Sequence, residues 1–150
     1  MDAKMKVTDD ILYVGVNDRE VDLFEGQYKV PNGMAYNSYV ILDERIAVMD
    51  TVDAAFGSQW LANVEQALAG RQPDYLVVQH MEPDHAGSVE RLLDYSPQMK
   101  ILATSCALGF LREIMNRDFT GLSVKDDQKM VLGNRTLHFL IVPNLHWPDT

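Results

Sequence analysis

Apolar and polar residues alternate along this chain at two different periods, and the change of period divides it into thirds. In residues 11–16, 21–24, 35–42 and 46–49 the apolar side chains come in short runs separated by polar or glycine-bearing turns, the pattern of strands. Asn17-Asp18-Arg19 makes a turn, which predicts that residues 21–24 fold back on residues 11–16 as a hairpin. Asp43-Glu44-Arg45 is a second tight polar turn, so the first third is expected to be an antiparallel meander ending at Asp50-Thr51. An Asp-Thr pair at a strand end signals a turn or a helix cap.

From Phe56 the period lengthens. Phe56, Trp60, Val64 and Leu68 recur every four positions, one stripe on a helix that stops at Gly70 with Pro73 just beyond. Tyr75-Leu76-Val77-Val78-Gln79 follows as a short, β-branched, buried strand. Ser88 is placed to cap a short helix whose Val89, Leu92 and Leu93 face inward until Pro97, and residues 100–103 make another buried strand. Residues 105–116 form a helix with Leu108, Leu111 and Met115 along one side and Phe110 and Ile114 beside it. This alternation of helix and strand is that of an α/β sheet with helices packed on one face. Beyond Gly121 strands return, residues 130–132 and 135–142 flanking Gly133-Asn134, a hairpin turn. In the second of these strands Thr136, His138 and Leu140 share one face and Leu137, Phe139 and Ile141 the other, so His138 is expected to be a half-exposed strand residue and not a ligand.

Composition narrows the class. With 150 residues, 47% of them hydrophobic and 23% charged, the chain suits one globular domain with one core. A net charge of −9 argues against nucleic acid or an anionic membrane as partner, because phosphate binding needs clustered Lys and Arg; a small cationic partner or a metalloprotein remains compatible. No apolar stretch has the length of a membrane span. The single cysteine, Cys106, permits no internal disulfide and fits a reducing cytoplasm, with a role as a small buried packing residue. No repeat, nucleotide-binding glycine loop or Ser/His/Asp arrangement is evident.

The candidate chemistry lies where the central strand ends. His80-Met81-Glu82-Pro83-Asp84-His85 holds four metal-competent side chains in six residues. In an extended segment His80, Glu82 and Asp84 project to one side, and Pro83 is expected to keep the segment open rather than wound into a helix. Imidazole and carboxylate ligands without thiolate suit iron, zinc or manganese, and the number of ligands leaves room for two ions. Polar loops commonly carry single His, Asp or Glu residues, but the density and strand-end position of this cluster argue against ordinary surface. A second histidine, His146, also sits in a loop after a strand, and loops from one sheet edge can meet. Asp149, beside Pro148, is expected to serve turn chemistry.

His80-Met81-Glu82-Pro83-Asp84-His85-Ala86-Gly87-Ser88, with Asp50-Thr51 and Leu145-His146-Trp147-Pro148-Asp149-Thr150, resembles the metallo-β-lactamase-like domain of the flavodiiron proteins over essentially the whole chain. Glu82 is the most specific feature: hydrolases of that fold usually carry H-x-H-x-D-H, and H-x-E-x-D-H is the diiron form. The resemblance implies an αββα sandwich of which this chain holds the first portion. It assigns His80, Glu82 and His146 to one iron and Asp84 and His85 to the other. It implies reduction of O2 to water or of NO to N2O, with electrons from FMN in a C-terminal flavodoxin-like domain that this chain does not contain. Rubredoxin or a similar small carrier would feed the flavin, and the subunits would pair head to tail. The family pattern calls for a bridging Asp and one more His beyond Thr150, so the chain is expected to be the opening part of a flavodiiron subunit, a natural short protein being the alternative. An uncovered apolar face should accompany half a sandwich. Two other functions remain open: a metal-dependent hydrolase of the same fold, against which Glu82 weighs, and a non-catalytic metal-binding module.

Overall fold

A computed structural model describes residues 5–150. Strands β1 (Met5–Lys6), β2 (Ile11–Tyr13), β3 (Val16–Asp18), β4 (Leu23–Phe24), β5 (Tyr28–Lys29), β6 (Met34–Tyr36), β7 (Tyr39–Ile41) and β8 (Ala47–Met49) lead into helix α1 (Gly57–Leu68). Then come β9 (Tyr75–Val77), α2 (Pro83–Ala86), α3 (Val89–Tyr95), β10 (Lys100–Ala103), α4 (Ser105–Ile114), β11 (Thr120–Ser123), β12 (Lys129–Val131) and β13 (Thr136–His138).

Seven strands form one sheet in the order β1-β2-β7-β8-β9-β10-β11. The β1, β2, β7 and β8 pairings are antiparallel, whereas β8, β9, β10 and β11 run parallel through helical crossovers. Neighbouring residues of a strand face opposite sides, and here both sides are buried. Val40, Val48, Leu76 and Ile101 join Trp60, Val64 and Leu68 of α1, Val89, Leu92 and Leu93 of α3, and Leu108 and Leu111 of α4 in one core. Ile41, Ala47, Val77 and Leu102 join Val124 and Leu132 in a second core, closed by Met130, Leu137 and Phe139 of the β12–β13 hairpin region. That is why residues 75–78 are continuously apolar rather than alternating.

The α/β alternation, the β7–β8 hairpin and both long helices stand where the sequence pattern places them, and the β12–β13 hairpin turns at Gly133-Asn134 as expected, but its second strand ends at His138 rather than running on to residue 142. His138 lies on the exposed face of β13, its Nε2 2.6 Å from Asp127 Oδ1. Other expectations need correction. β2 pairs with β1 and β7 and does not fold against residues 21–24; β3 pairs with β6, and β4 with β5. The Asp18 carboxylate, accepting from the Glu20 and Val21 N–H groups at 2.9 and 3.0 Å, turns the chain aside before a hairpin can close. The single strand expected over residues 35–42 breaks at Asn37-Ser38, because Ser38 turns inward, donating to Asp50 O at 2.8 Å and accepting from Trp60 Nε1 at 3.0 Å. Ser88 stands at the start of α3 but makes no side-chain cap bond. Ile114 is 65% exposed, so the apolar face of α4 is narrower than its sequence suggests. Cys106 is half-buried rather than buried.

The second face of the sheet is covered only in part. Between it and residues 137–142 lies a cavity of about 190 Å³ lined by Met49, Val77, Leu102 and Phe139 among others, and Leu140 and Val142, which also line it, are exposed.

Candidate metal centre

Parallel strands deliver their loops to one edge of the sheet, and the candidate ligands gather at the carboxyl ends of β8, β9 and β10. Past β9 the chain is held by two bonds, Val78 N–H to Leu102 O at 2.9 Å and Gln79 N–H to Asp50 Oδ1 at 2.7 Å. It stays extended through Glu82 (φ −58°, ψ 147°), the conformation a residue preceding proline favours. Pro83 then opens a helical turn, α2, as its first residue. The expectation that Pro83 keeps the segment from winding is therefore wrong for residues 83–86: a fixed φ near −65° and a missing N–H are suited to a helix start. Only His80 and Glu82 share the strand-like alternation. Asp84 and His85 leave it and form a neighbouring pair.

His146 arrives from the loop after residue 142 and completes a cluster with His80 and Glu82, whose ligand atoms all lie within 4.8 Å of one another. His80 Nε2 is 3.2 Å from His146 Nε2 and 3.3 Å from Glu82 Oε2, and His146 Nε2 is 3.3 Å from Glu82 Oε1. His80 and Glu82 are buried, His146 largely exposed. Lone pairs of two imidazoles and a carboxylate converge on one small volume, an arrangement that repels itself unless a proton or a cation lies between them. This donor set fits a divalent metal of the iron, zinc or manganese kind.

The second pair lies alongside. The His85 ring centroid is 5.2 Å from that of His80, and His85 Nε2 is 3.8 Å from Asp84 Oδ2. Asp84 Oδ1 is buried without a hydrogen-bond partner among the described residues, and burial pushes the Asp84 carboxyl upward. An orphaned, desolvated carboxylate oxygen beside a histidine is the chemistry a cation relieves. His85 Nδ1 stands 2.9 Å from Asp50 Oδ2, and this hydrogen bond pushes the imidazole upward in pKa.

Sequence reasoning missed the supporting residues. Asp50 and Thr51 are more than a turn signal. Asp50, 3% exposed and in the left-handed region at φ 56°, holds both Gln79 and His85. Thr51 donates from N and Oγ1 to His85 O, each at 2.8 Å, and accepts from Ser88 N–H at 3.2 Å. Gly87 lets α2 and the loop after Thr51 meet: a Cβ there would lie 2.5 Å from Pro83 O and 2.8 Å from Ala54 N. The expectation that Asp149 serves turn chemistry needs correction: its Oδ2 reaches the His80 ring at 3.2 Å and the Met81 N–H at 2.7 Å, and its carboxylate makes no turn bond among the described residues. The residue types were visible in the sequence, but no spacing rule connects positions 50 and 85, or 80 and 149.

A cavity of about 330 Å³ adjoins Asp84, lined by Phe24, Tyr36, Phe56 and Pro83 with Asp18 and Asp53. Burial and the bond to Asp18 push the Tyr36 hydroxyl up to about 12, so it remains a donor at neutral pH.

The family described as ODP family beta lactamase matches residues 34–150. The chain belongs to this family. Its flavodiiron resemblance holds as well. It is 35% identical over 152 residues to a protein named nitric oxide reductase from Moorella thermoacetica, covering 100% of this chain and 38% of that one. The flavodiiron protein from Giardia intestinalis superimposes with a TM-score of 0.93 at 31% identity, over 100% of this chain and 37% of that chain. The rubredoxin oxygen:oxidoreductase from Desulfovibrio gigas does so with a TM-score of 0.92 at 32% identity, over 99% and 37%. The chain spans between 23% and 38% of the length of the curated relatives it matches. The fold is accordingly the mixed α/β, metallo-β-lactamase-like architecture of flavodiiron proteins.

Proposed function

We propose that this chain supplies the metal-binding part of a flavodiiron oxidoreductase that reduces O2 to water or NO to N2O. The observation that carries this reading is a carboxylate, Glu82, set between two imidazoles whose Nε2 atoms face each other at 3.2 Å. His80, Glu82 and His146 would hold one iron, and Asp84 and His85 the other. Two ferrous ions, when bound, would supply Lewis acidity and electrons to a diatomic substrate.

The chain's own residues provide the setting. Asp50 holds the His85 ring by Nδ1, and the Trp147 ring stands edge-on to His80 at 5.3 Å between centroids, shielding it from solvent. The cavity beside Asp84 has the size and aromatic walls for a small neutral molecule, and the Tyr36 hydroxyl that lines it donates its proton to Asp18 at 3.2 Å. The names of the relatives support both substrates: one is called a nitric oxide reductase and another a rubredoxin oxygen:oxidoreductase. By the same resemblance the whole protein would carry FMN in a flavodoxin-like domain, take electrons from rubredoxin or a similar carrier, and pair as a head-to-tail homodimer. A cytoplasmic setting fits the lone Cys106. Among the described residues no helix is long and apolar enough to cross a membrane.

Anaerobic loading with ferrous iron followed by metal analysis tests the reading. Wild type should retain iron, and Glu82→Ala should lose it. Glu82→His, which recreates the hydrolase pattern, should move the preference from iron toward zinc in a competition between the two. Iron retention unchanged in Glu82→Ala would remove the basis of the proposal.

A further inference from the structure

We infer that Asp149 is a positioning residue for both histidines of the first metal position: it fixes which His80 nitrogen is free to ligate, and it anchors the loop that carries His146. The inference rests on the metal reading above but is carried by different contacts.

Asp149 is fully buried. Its Oδ2 accepts the Met81 N–H at 2.7 Å and lies 3.2 Å from His80 Nδ1. As a carboxylate Asp149 only accepts, and the ring nitrogen facing it then carries the proton; its other oxygen, Oδ1, is buried without a hydrogen-bond partner among the described residues. A neutral imidazole has a single N–H. The lone pair is then on Nε2, which faces Glu82 Oε2 and His146 Nε2. Were the proton on Nε2 instead, two acceptors would face each other at Nδ1 and a donor would occupy the ligand position. The Met81 N–H bond also places the carboxylate one residue from His80 in sequence, so that ring and backbone are gripped by the same oxygen.

The backbone of Asp149 does the second part. Its carbonyl accepts the Thr104 hydroxyl at 2.7 Å, and the same Thr104 Oγ1 caps α4 by accepting the Ala107 N–H at 3.1 Å. The loop is closed at its base by Val142 N–H to Thr150 O at 3.1 Å and Thr150 Oγ1 to Val142 O at 2.7 Å. Asp149 therefore joins the loop after β9, the β10–α4 junction and the loop of residues 142–150 at one point. His146 lies three residues away with a side chain 68% exposed, so its approach to Glu82 depends on how the loop is held. Oriented, hydrogen-bonded histidines bind metal more tightly, by about 10- to 100-fold.

Two readouts test this. In the metal-free chain, ¹⁵N NMR above the imidazole titration range reports which ring nitrogen of His80 carries the proton; anaerobic titration with Co(II), followed by its visible absorption, reports affinity and ligand geometry. Wild type should show the Nδ1–H form. Asp149→Ala should lose that bias and weaken Co(II) binding about 10- to 100-fold. Asp149→Asn, which can offer one amide oxygen to both N–H groups, should keep the Nδ1–H form and recover most of the affinity. A purely structural role would lower thermal stability in both variants without moving the tautomer. A His80 proton on Nε2 in wild type overturns the inference even if Asp149→Ala does not fold, as does unchanged Co(II) affinity in a folded Asp149→Ala. A wild-type chain with the Nδ1–H form that takes up no Co(II) supports the orienting contact and counts against the metal reading instead.

Discussion

A carboxylate stands behind each buried or half-buried histidine of the site. Asp50 does for His85 what Asp149 does for His80, and it adds the Gln79 N–H at 2.7 Å and the Gln79 side-chain amide at 3.2 Å. Removing it leaves a backbone N–H and an imidazole N–H without partners in a site where Asp50 is only 3% exposed. Asp50→Ala is expected to cost about 1–3 kcal/mol of stability for the orphaned donors, read from urea unfolding. It should also free the His85 ring, so that metal analysis shows the second position losing occupancy before the first. Equal loss at both positions would mean that Asp50 supports the loop as a whole rather than His85.

At the scale of elements, the β12–β13 hairpin is fastened to the body by acid clamps. The Asp43 carboxylate accepts the Asn134 and Arg135 N–H groups at 3.0 and 2.6 Å, bonds that hold its pKa below the usual carboxylate value. Asp10 pairs with the Arg135 guanidinium at 2.6 and 2.8 Å and is lowered further by it. A carboxyl whose folded pKa is depressed contributes stability above its unfolded value of about 3.9, lost as pH falls through the folded value. Acidification below about pH 4 should therefore loosen this hairpin before the helical face, seen as faster amide exchange across residues 129–138. Asp43→Asn should bring the loosening to neutral pH. Gly133, at φ 146°, gives the turn the backbone freedom it needs to reach Asp43.

Over the whole molecule the two faces of the sheet are unequal. The helical side encloses Trp60, Leu76 and Ile101 completely, whereas the other side leaves Leu140 and Val142 at 66% and 44% exposure beside a cavity of about 190 Å³ that they line. Exposed apolar surface of this kind favours association, and the net charge of −9 opposes it by repulsion. Screening should tip the balance, since the Debye length shrinks from about 10 Å at 0.1 M to about 3 Å at 1 M salt. Sedimentation velocity is expected to show self-association growing with salt and reduced in Leu140→Asp. A monomer at all salt concentrations would show that repulsion is not what keeps the chains apart.

The amino-acid pattern alone determined the elements whose causes are local. The four-residue stripe of α1, the continuously apolar β9 and the turn at Gly133-Asn134 are set by burial and backbone preference within a few residues. So, too, is the concentration of His80, Glu82, Asp84 and His85 at one strand end, with the glutamate that separates the diiron pattern from the hydrolase one. Partnership between distant segments was decided only by the tertiary structure. Nothing near Ile11 in sequence says that its strand pairs with Tyr39–Ile41 rather than with residues 21–24. Nothing in the spacing joins Asp149 to His80 or Asp50 to His85, because those bonds are made across the sheet edge after the strands have found their order. Local energetics favour the loops in which the candidate ligands stand. The packing of β8, β9 and β10 side by side is what aims them at one another.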